Sequence, residues 1–280
     1  MLTEANAFIS IDVEDWYHLE YFKGSRLSHN VTCIDGLHTF IETLDRHQIK
    51  GNFFFLDEFA LSNRELITEL CYQGHGIGSH GSGHVRPVTL SVKDFYKSLQ
   101  GSYSVLRSIV PSWKPIGYRA PCFALDDERL ELVAKAGFSY DSSYIQFGQH
   151  PLYGRVSLES FTKISDGIYK RDGFYVFEVS TARFLNRRLP ISGGGYLRLL
   201  PRMLFFSFVR AFIKAKHNYS FYIHPFELSS VVPDLADVNK IAKYRFLTGR
   251  ATALAKTESL ITMLRESNYI FSAFDDIIEP

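Results

Sequence analysis

Short apolar runs alternate with longer amphipathic segments along the chain, and this alternation predicts strands followed by helices. The apolar runs predict strands at residues 7–11, 51–56, 74–79, 117–119, 140–141, 173–179 and 219–224. Helical spacing of apolar residues predicts helices at 35–47, 62–72, 91–110, 126–136, 203–216 and 248–267. Ser62 is the expected N-cap of the second helix, because Glu65 follows three residues later. Alternating strands and helices predict an α/β fold with a mostly parallel sheet or barrel.

The pattern also predicts a single domain that covers residues 1–280. No internal repeat, low-complexity run or linker interrupts the sequence. A length of 280 residues suits one large α/β domain, and a barrel-like fold can use all of it.

Composition and charge narrow the range of functions. Apolar residues make up 46% of the chain and charged residues 22%, which is typical of a folded protein with a sizeable core. The net charge is +1, so we expect no nucleic acid partner and no attraction to an anionic membrane surface. Cys33, Cys71 and Cys122 are odd in number and far apart, which predicts neither a disulfide framework nor a Cys-x-x-Cys site.

The start of the chain predicts a location. The first residues contain neither a basic region nor a long apolar run, so no signal peptide is expected. We also expect no transmembrane segment, because no apolar stretch reaches the length of about 18 residues that spans a bilayer. A cytoplasmic enzyme is therefore the simplest interpretation.

Polar residues stand at, or just beyond, the carboxyl ends of five predicted strands. These residues are Asp12, His80, Arg119, Asp141 and His224. In barrels and doubly wound sheets, active sites form at this edge of the sheet. The coincidence predicts that the five side chains share one site. Asp141 would orient an imidazole there, although it would be equally suited to a structural turn.

A metal site is predicted around two histidines, His80 and His84. Being four residues apart, they can point at one ion if the segment between them turns helically. One carboxylate would complete three protein ligands and leave an open position, as in catalytic zinc sites. Strand alternation favours Glu14, which shares a face with Asp12, and leaves Asp15 as the alternative ligand. The competing interpretation of these carboxylates is a helix N-cap ahead of residues 16–18.

The other residues suit hydrolysis of an amide beside such an ion. Asp12 would be the general base, and Arg119 would keep it ionised through a bidentate ion pair. Pro121 would stiffen the next turn, so that the Cys122 N–H donates to a developing oxyanion. His224 would be the general acid, although a lone histidine after an apolar run is more often a core residue.

Three consecutive glycines at 193–195 predict a loop that can approach a ligand closely. Tyr196 and Arg198 follow this loop and are candidate substrate-binding residues. Arg198 would contact a phosphate or carboxylate of the substrate. The alternative interpretation is a flexible hairpin tip.

Five segments, in this order, resemble the motifs of the NodB-type polysaccharide deacetylases, carbohydrate esterase family 4. The segments are 10–15, 80–84, 119–122, 141–143 and 222–224. The resemblance spans residues 7–228 and implies a distorted (β/α)7 barrel. It also implies Zn²⁺, or another divalent metal such as Co²⁺, Ni²⁺ or Mn²⁺, and hydrolysis of an N-acetyl group from an amino sugar.

Carried over residue by residue, the resemblance implies a role for each matching position. Asp12 becomes the base, Arg119 its tether, His80 and His84 metal ligands, the Cys122 backbone an oxyanion donor and His224 the acid. The first motif departs from two adjacent aspartates and reads Asp-Val-Glu-Asp, which leaves Glu14 and Asp15 open as the third ligand. This departure, with segments 192–201 and 224–227, resembles a subgroup from exopolysaccharide and surface-glycan gene clusters.

The expected function is N-deacetylation of an amino sugar, free or linked to a nucleotide or lipid carrier. The expected pathway is synthesis of a surface polysaccharide such as an exopolysaccharide or O-antigen. Two alternatives stay open: hydrolysis of another small amide or formamide, and a catalytically silent sugar-binding protein. Metal content, together with acetate release, would distinguish the three.

Overall fold

Residues 5–23, 25, 30–147, 150–184 and 187–279 are described by a computed structural model. Within them, the strands are β1 Asn6–Val13, β2 Asn52–Phe55, β3 Gly76–Ser79, β4 Gly117–Tyr118, β5 Tyr140–Asp141, β6 Thr162–Ser165, β7 Ile168–Arg171, β8 Phe174–Phe177, β9 Thr181–Phe184, β10 Arg187–Pro190, β11 Tyr219–Ile223 and β12 Ile270–Phe271. The α-helices are α1 Asp35–His47, α2 Asp57–Ser62, α3 Arg64–Tyr72, α4 Val92–Arg107, α5 Asp127–Lys135, α6 Gly194–Leu199, α7 Arg202–Lys214, α8 Pro225–Leu228, α9 Lys240–Leu247 and α10 Ala253–Glu266. No helix among these residues is long and apolar enough to cross a bilayer.

The main sheet is built from parallel strands in the order β11-β1-β2-β3-β4-β5-β8. Strands β7 and β6 continue the sheet beyond β8 in antiparallel pairing, and β12 pairs with the start of β1. The strands that carry the predicted site residues thus all present their carboxyl ends at one edge. This arrangement confirms the predicted parallel α/β architecture.

The sheet curls until its two sides meet near Ser180 and Ser220. The Ser180 N–H donates to the Ser220 carbonyl oxygen over 3.4 Å, and Ser180 Oγ accepts from the Ser220 N–H at 2.9 Å. A pair of hydrogen bonds, rather than a continuous ladder among the described residues, joins the end of β8 to β11. The barrel is therefore distorted, as the family resemblance implies.

Strand β1 shows how the barrel separates its core from its site. Alternate side chains of a strand point to opposite faces. Ala7, Ile9, Ile11 and Val13 belong to the large core that includes the helices. Phe8 belongs instead to an aromatic cluster, in which its ring packs against Phe177 and Phe274 at centroid distances of 5.4 and 4.8 Å.

Ser10 and Asp12 follow Phe8 at intervals of two residues and therefore lie on the same face of β1. Phe54 and Tyr140, on neighbouring strands, also join the aromatic cluster. The inner face of the barrel is thus aromatic towards the amino ends of the strands and polar towards their carboxyl ends. Both faces of β1 are buried, which explains why the strand reads as a nearly continuous apolar run.

Several local predictions are wrong. Ser62 is not the N-cap of the helix that follows, because it ends α2, where its Oγ donates to the Glu58 carbonyl oxygen at 2.9 Å. The helix predicted from residue 248 begins only at Ala253, after a 3-10 turn at Arg250–Thr252. The glycine segment is not a hairpin tip, because its second glycine begins α6. The hairpins β6–β7 and β9–β10 lie in a region whose pattern is irregular.

Candidate active site and metal-ligand cluster

The carboxyl ends of β1, β3, β4 and β11 bring Asp12, His80, Arg119 and His224 to one buried site. Glu14 follows β1 by one residue, and His84 lies on the turn after β3. Glu14, His80 and His84 are at most 4% exposed. Each offers a ligand atom, and these three atoms lie within 4.8 Å of one another.

The turn from His80 to His84 does not take the helical form that the spacing suggested. Gly81, Gly83 and His84 have φ angles of 82°, 56° and 50°, in the left-handed region that glycine enters without steric cost. The Asp57 N–H donates to the Gly81 carbonyl oxygen at 3.0 Å, and the Gly81 N–H donates to Ser79 Oγ at 2.9 Å. Glycine-assisted turning, rather than a helix, therefore brings the two imidazoles together.

The donor set suits a divalent cation. His80 Nδ1 lies 2.9 Å from the Arg119 carbonyl oxygen, and a proton on Nδ1 leaves the Nε2 lone pair for a metal. Glu14 Oε2 lies 2.8 Å from His84 Nε2, yet neither this oxygen nor the buried His84 Nδ1 has a hydrogen bond among the described residues. Buried polar atoms without partners are costly, and a cation held by two imidazoles and a carboxylate would satisfy such a site.

The protonation states of Glu14 and His80 also suit the binding of a metal ion. Burial would raise the pKa of Glu14, but His84, His224 and His80 lower it to about 2, so the carboxylate is ionised. Burial lowers the pKa of His80 to about 4, so its imidazole is neutral near pH 7. Metal ligands need these protonation states.

Asp15 does not join the cluster. Its Oδ1 accepts hydrogen bonds from the Trp16 and Cys33 N–H groups, both at 2.8 Å, and its Oδ2 accepts from the Thr32 hydroxyl. Asp15 thereby caps the 3-10 turn Trp16–His18. The helix-cap interpretation therefore applies to Asp15, and the structure brings Glu14 alone to the two histidines.

Arg119 binds Asp12, but not in the bidentate manner predicted. Its NH1 group donates to Asp12 Oδ1 at 2.7 Å and to Ser10 Oγ at 2.9 Å. Its Nε donates to the Ser142 carbonyl oxygen at 3.0 Å and its NH2 group to Ser142 Oγ at 2.9 Å. The guanidinium also stacks over Phe54 at 4.1 Å. One oxygen of Asp12 is held in this way, and Oδ2 has no hydrogen bond within the described residues.

His224 completes the polar layer from the far side of β1. Its Nε2 lies 3.5 Å from Glu14 Oε1, and its Nδ1 lies 3.1 Å from Glu227 Oε2. Burial would lower the pKa of His224, but the hydrogen bond and charge of Glu227, with Glu14 and Asp12, raise it to about 9. The imidazolium is therefore available as a proton donor near neutral pH.

Arg198 does not have the substrate-binding position expected of it. The side chain is 5% exposed, and its Nε donates to Glu227 Oε1 at 2.6 Å. Its remaining donors reach the carbonyl oxygens of Arg245, Phe246 and Thr248 near the end of α9. Four hydrogen bonds thus hold the guanidinium inside the protein, where it fixes the carboxylate that holds His224.

Asp141 is also placed differently from the prediction. It contacts no imidazole among the described residues, and its two oxygens accept from the Ser143 N–H at 2.8 Å and the Ser143 hydroxyl at 2.7 Å. Burial raises its pKa to about 7, although the Ser143 bonds and Arg119 oppose that rise. Ser143 Oγ in turn accepts from the Ala120 N–H at 2.8 Å. Asp141 therefore supports the turn that precedes Cys122.

Cys122 lies on a tight turn beside this network. Its φ angle is 56° and that of Phe123 is 53°, both unusual for residues with a side chain. The Cys122 N–H has no acceptor within the described residues. Burial raises the pKa of its thiol, so the side chain is not a nucleophilic thiolate.

Tyr196 is half-buried near the site, with its ring centroid 6.4 Å from that of Phe147. Phe147 in turn lies 6.1 Å from the ring of Tyr153. Tyr222 lies two residues before His224, and the two rings are 5.7 Å apart. Tyr196 thus belongs to an aromatic wall beside the cluster.

Sequence reasoning missed Glu227 as the partner of His224. The signal is present, since a proline follows the histidine and a glutamate stands three residues after it, which is a helix-capping pattern. It also missed Ser10 and Ser142 as partners of Arg119. Ser10 precedes Asp12 by two residues on the same strand face, so alternation would have indicated it.

Two family models match the chain. Residues 35–140 match the model described as polysaccharide deacetylase, and residues 142–279 match the one described as a domain of unknown function, DUF3473. His80, His84 and Arg119 lie in the first region, whereas His224 and Glu227 lie in the second. The site is thus assembled from both matched regions and from β1, which precedes them.

A curated relative and two solved structures are similar to the chain. The peptidoglycan deacetylase of Helicobacter pylori is 24% identical over 202 residues, which are 72% of this chain and 65% of that protein. This chain therefore matches slightly less than two thirds of the length of that relative.

Both solved structures are of proteins assigned to the polysaccharide deacetylases. The one from Mycobacterium smegmatis has a TM-score of 0.58 and 17% identity, with coverage of 99% of this chain and 91% of the other. The one from Pseudomonas aeruginosa PAO1 has a TM-score of 0.61 and 14% identity, with coverage of 98% and 90%. At such identities the similarity shows the fold, and the predicted distorted (β/α)7 barrel is confirmed.

Proposed function

We propose that the protein is a metal-dependent hydrolase that removes an N-acetyl group from an amino sugar, because residues 35–140 match the polysaccharide deacetylase model. The observation that carries the metal dependence is the buried cluster of Glu14, His80 and His84, with two polar atoms that lack hydrogen bonds. We assign Glu14 as the third ligand, because both oxygens of Asp15 are used elsewhere.

The proposed metal is Zn²⁺ or a similar divalent ion such as Co²⁺, Ni²⁺ or Mn²⁺. When bound, such an ion lowers the pKa of water and polarises a carbonyl group. Two imidazoles and one carboxylate suit these ions, and three protein ligands leave room for substrate and water.

The roles of the other residues follow from their contacts. Asp12 accepts the proton of the attacking water on Oδ2, while Arg119 holds Oδ1 and keeps the carboxylate oriented. The free Cys122 N–H donates to the oxygen of the acetyl group as negative charge develops there. His224 gives its Nε2 proton to the leaving amine, while Glu227 holds Nδ1.

The substrate and pathway are the finer part of the proposal. We assign an acetamido sugar, free or linked to a nucleotide or lipid carrier, in the synthesis of a surface polysaccharide. The H. pylori relative, a peptidoglycan deacetylase, supports an N-acetylated glycan as the substrate class. The cytoplasmic location stays a prediction, which cell fractionation would check.

The test combines metal analysis with acetate release. Purified protein is analysed for metal, and acetate is measured from a panel of acetamido sugars before chelation, after chelation and after metal is restored. We expect about one divalent ion per chain and acetate release that chelation abolishes and metal restores.

Two results would contradict the proposal in different ways. A bound metal without acetate release, but with turnover of formylated or ureido compounds, would favour another amide substrate. A protein that binds glycans but no metal, even after reconstitution, would instead be a sugar-binding protein.

A further inference from the structure

A groove of about 390 Å³ opens on the same edge of the sheet as the cluster. Its lining comes from segments that follow the carboxyl ends of β4 and β5, including Phe123 and Ser143, and from β10. An isolated bridge between Ile145 and Val179 ties this lining to the segment after β8. The groove therefore lies beside the metal-ligand cluster, at the same end of the barrel, next to the carboxyl ends of β4 and β5.

Phe123 and Ser143 connect the groove to the proposed reaction. Phe123 follows Cys122 directly, and its ring packs edge-to-face against Tyr222 at 4.9 Å. Ser143 Oγ accepts from the Ala120 N–H, in the turn that leads to Cys122. A glycan with one sugar at the cluster would therefore extend into the groove with its next sugar.

Aromatic rings line the path between the two places. Tyr153 packs edge-to-face against Phe123 at 5.5 Å, and Phe147 lies 6.1 Å from Tyr153. Phe147 and Tyr144 also line the groove itself. Flat apolar ring faces with a polar rim suit the faces of sugar rings, which carry C–H groups between their hydroxyls.

The charged side chains that line the groove are all positive. Arg155 and Arg188 line it and are exposed, and none of the lining residues is an aspartate or glutamate. Neither arginine forms an ion pair with a described residue, and Arg188 has one long hydrogen bond, 3.4 Å to Thr181 Oγ1. Arg188 also lines a second cavity, where Glu178 and Asp166 are the acidic groups, and burial raises the pKa of Glu178.

We propose that this groove is a subsite for an anionic group carried next to the reactive acetamido sugar, bound by Arg155 and Arg188. The inference rests on the proposed deacetylase function and names its substrate class as anionic glycans or glycosides. Guanidinium groups bind carboxylates and phosphates through paired hydrogen bonds, so either anion suits the pair. A carboxylate on a neighbouring sugar and a carrier diphosphate are the two sources.

The kinetic test uses metal-loaded protein and three probes. They are the neutral tri-N-acetylchitotriose, a hyaluronan tetrasaccharide that carries carboxylates, and UDP-N-acetylglucosamine, which carries a diphosphate. We expect kcat/KM to be higher for one or both anionic probes than for the neutral one. The preference ratio is kcat/KM for the anionic probe divided by kcat/KM for the neutral one. Arg155→Gln and Arg188→Gln should each lower this ratio about tenfold, mainly by raising KM for the anionic probe, because each removes a charged hydrogen-bond donor.

Arg210→Gln is the matched control, because Arg210 is an exposed arginine on α7 that lines a different cavity. It should leave the ratio unchanged. If the two groove variants lose the preference for the hyaluronan tetrasaccharide alone, the bound anion is a sugar carboxylate. If they lose the preference for the UDP-sugar alone, the bound anion is a diphosphate. A wild-type preference for the neutral probe, or an unchanged ratio in both groove variants, would overturn the subsite.

A binding measurement separates failure of the subsite from failure of the proposed function. If no probe releases acetate, calorimetry on the same protein compares its affinity for the three probes at low and high salt. Tighter, salt-sensitive binding of an anionic probe that Arg155→Gln weakens would support the subsite even though the deacetylase proposal had failed. Equal binding of charged and neutral probes would refute it.

Discussion

The two sides of the site are held in place in different ways. Asp12, His80 and Arg119 lie at the carboxyl ends of β1, β3 and β4, and Arg119 contacts the other two through its guanidinium and its carbonyl oxygen. His224 depends instead on a series of side chains, from Glu227 through Arg198 to the end of α9. We call Asp12, His80 and Arg119 the base side and His224 the acid side. The base side is fixed by the register of the strands, whereas the acid side is fixed by side-chain contacts that reach a helix at the surface.

The difference has a practical consequence. A change on the base side alters ligands or charges inside the sheet, so it should affect metal binding or chemistry directly. Changes on the acid side should act in steps, because Glu227 contacts His224 whereas Arg198 acts only through Glu227. The comparison therefore predicts a graded series of effects.

The largest effect is expected for His84→Ala. Loss of one of three proposed ligands should release the metal and reduce acetate release to background. The fold should stay intact, because His84 lies on a turn. Metal content and circular dichroism would be measured, with the exposed His38→Ala as the control. Stoichiometric metal in the His84 variant would show that His84 is not a ligand.

Asp12→Asn should reduce kcat by about 10²–10⁴-fold, because it removes the proposed general base. The metal should remain bound, since the three proposed ligands are unchanged. Metal analysis and initial rates would be compared with Asp237→Asn, an exposed aspartate. Rates are measured below the unfolding transition, because the change leaves the buried Arg119 with less negative charge beside it. Near wild-type activity would remove Asp12 from the mechanism.

Glu227→Gln tests the acid side directly. The loss of the carboxylate that holds His224 Nδ1 should lower kcat by about 10–100-fold, with a smaller change in KM and no loss of metal. Glu65→Gln, at an exposed position on α3, is the matched control. A purely structural role would instead lower stability and leave the kcat of the folded fraction unchanged.

Arg198→Met should have the smallest effect on chemistry and a clear effect on stability. It breaks the buried ion pair and leaves His224 as the remaining cation beside Glu227, which should lower the free energy of unfolding by about 3–5 kcal/mol. Arg210→Met should change it by less than about 0.5 kcal/mol, because that residue is exposed. Urea denaturation would measure both. Equal stabilities would mean that the Arg198–Glu227 pair does not hold the acid side.

Much of the base side could be read from the sequence. Buried parallel strands appear as short apolar runs, and polar residues at their carboxyl ends are conspicuous against that background. Asp12, Glu14, His80 and Arg119 stood out for this reason, and the structure brings them together. The bidentate pairing failed, because Ser10 and Ser142 compete for the guanidinium donors of Arg119.

The acid side was harder to predict, because its contacts join residues far apart in the chain. Arg198 seemed free to bind a substrate, yet Glu227 lies 29 residues away and the carbonyl groups that bind Arg198 lie 47–50 residues away. Asp141 seemed suited to an imidazole, yet Ser143 satisfies it within its own turn. Neither distant contact nor local competition appears in a one-dimensional pattern.

The sequence alone predicts the order of the parallel strands, the edge of the sheet on which the site lies and the residue types able to bind a metal. Periodicity encodes these features, because alternation and helical spacing act over a few residues. Only the tertiary structure decided that Glu14 rather than Asp15 meets the histidines and that Glu227 rather than Asp141 holds His224. Those choices depend on which hydrogen-bond partners each buried carboxylate meets after the chain has folded.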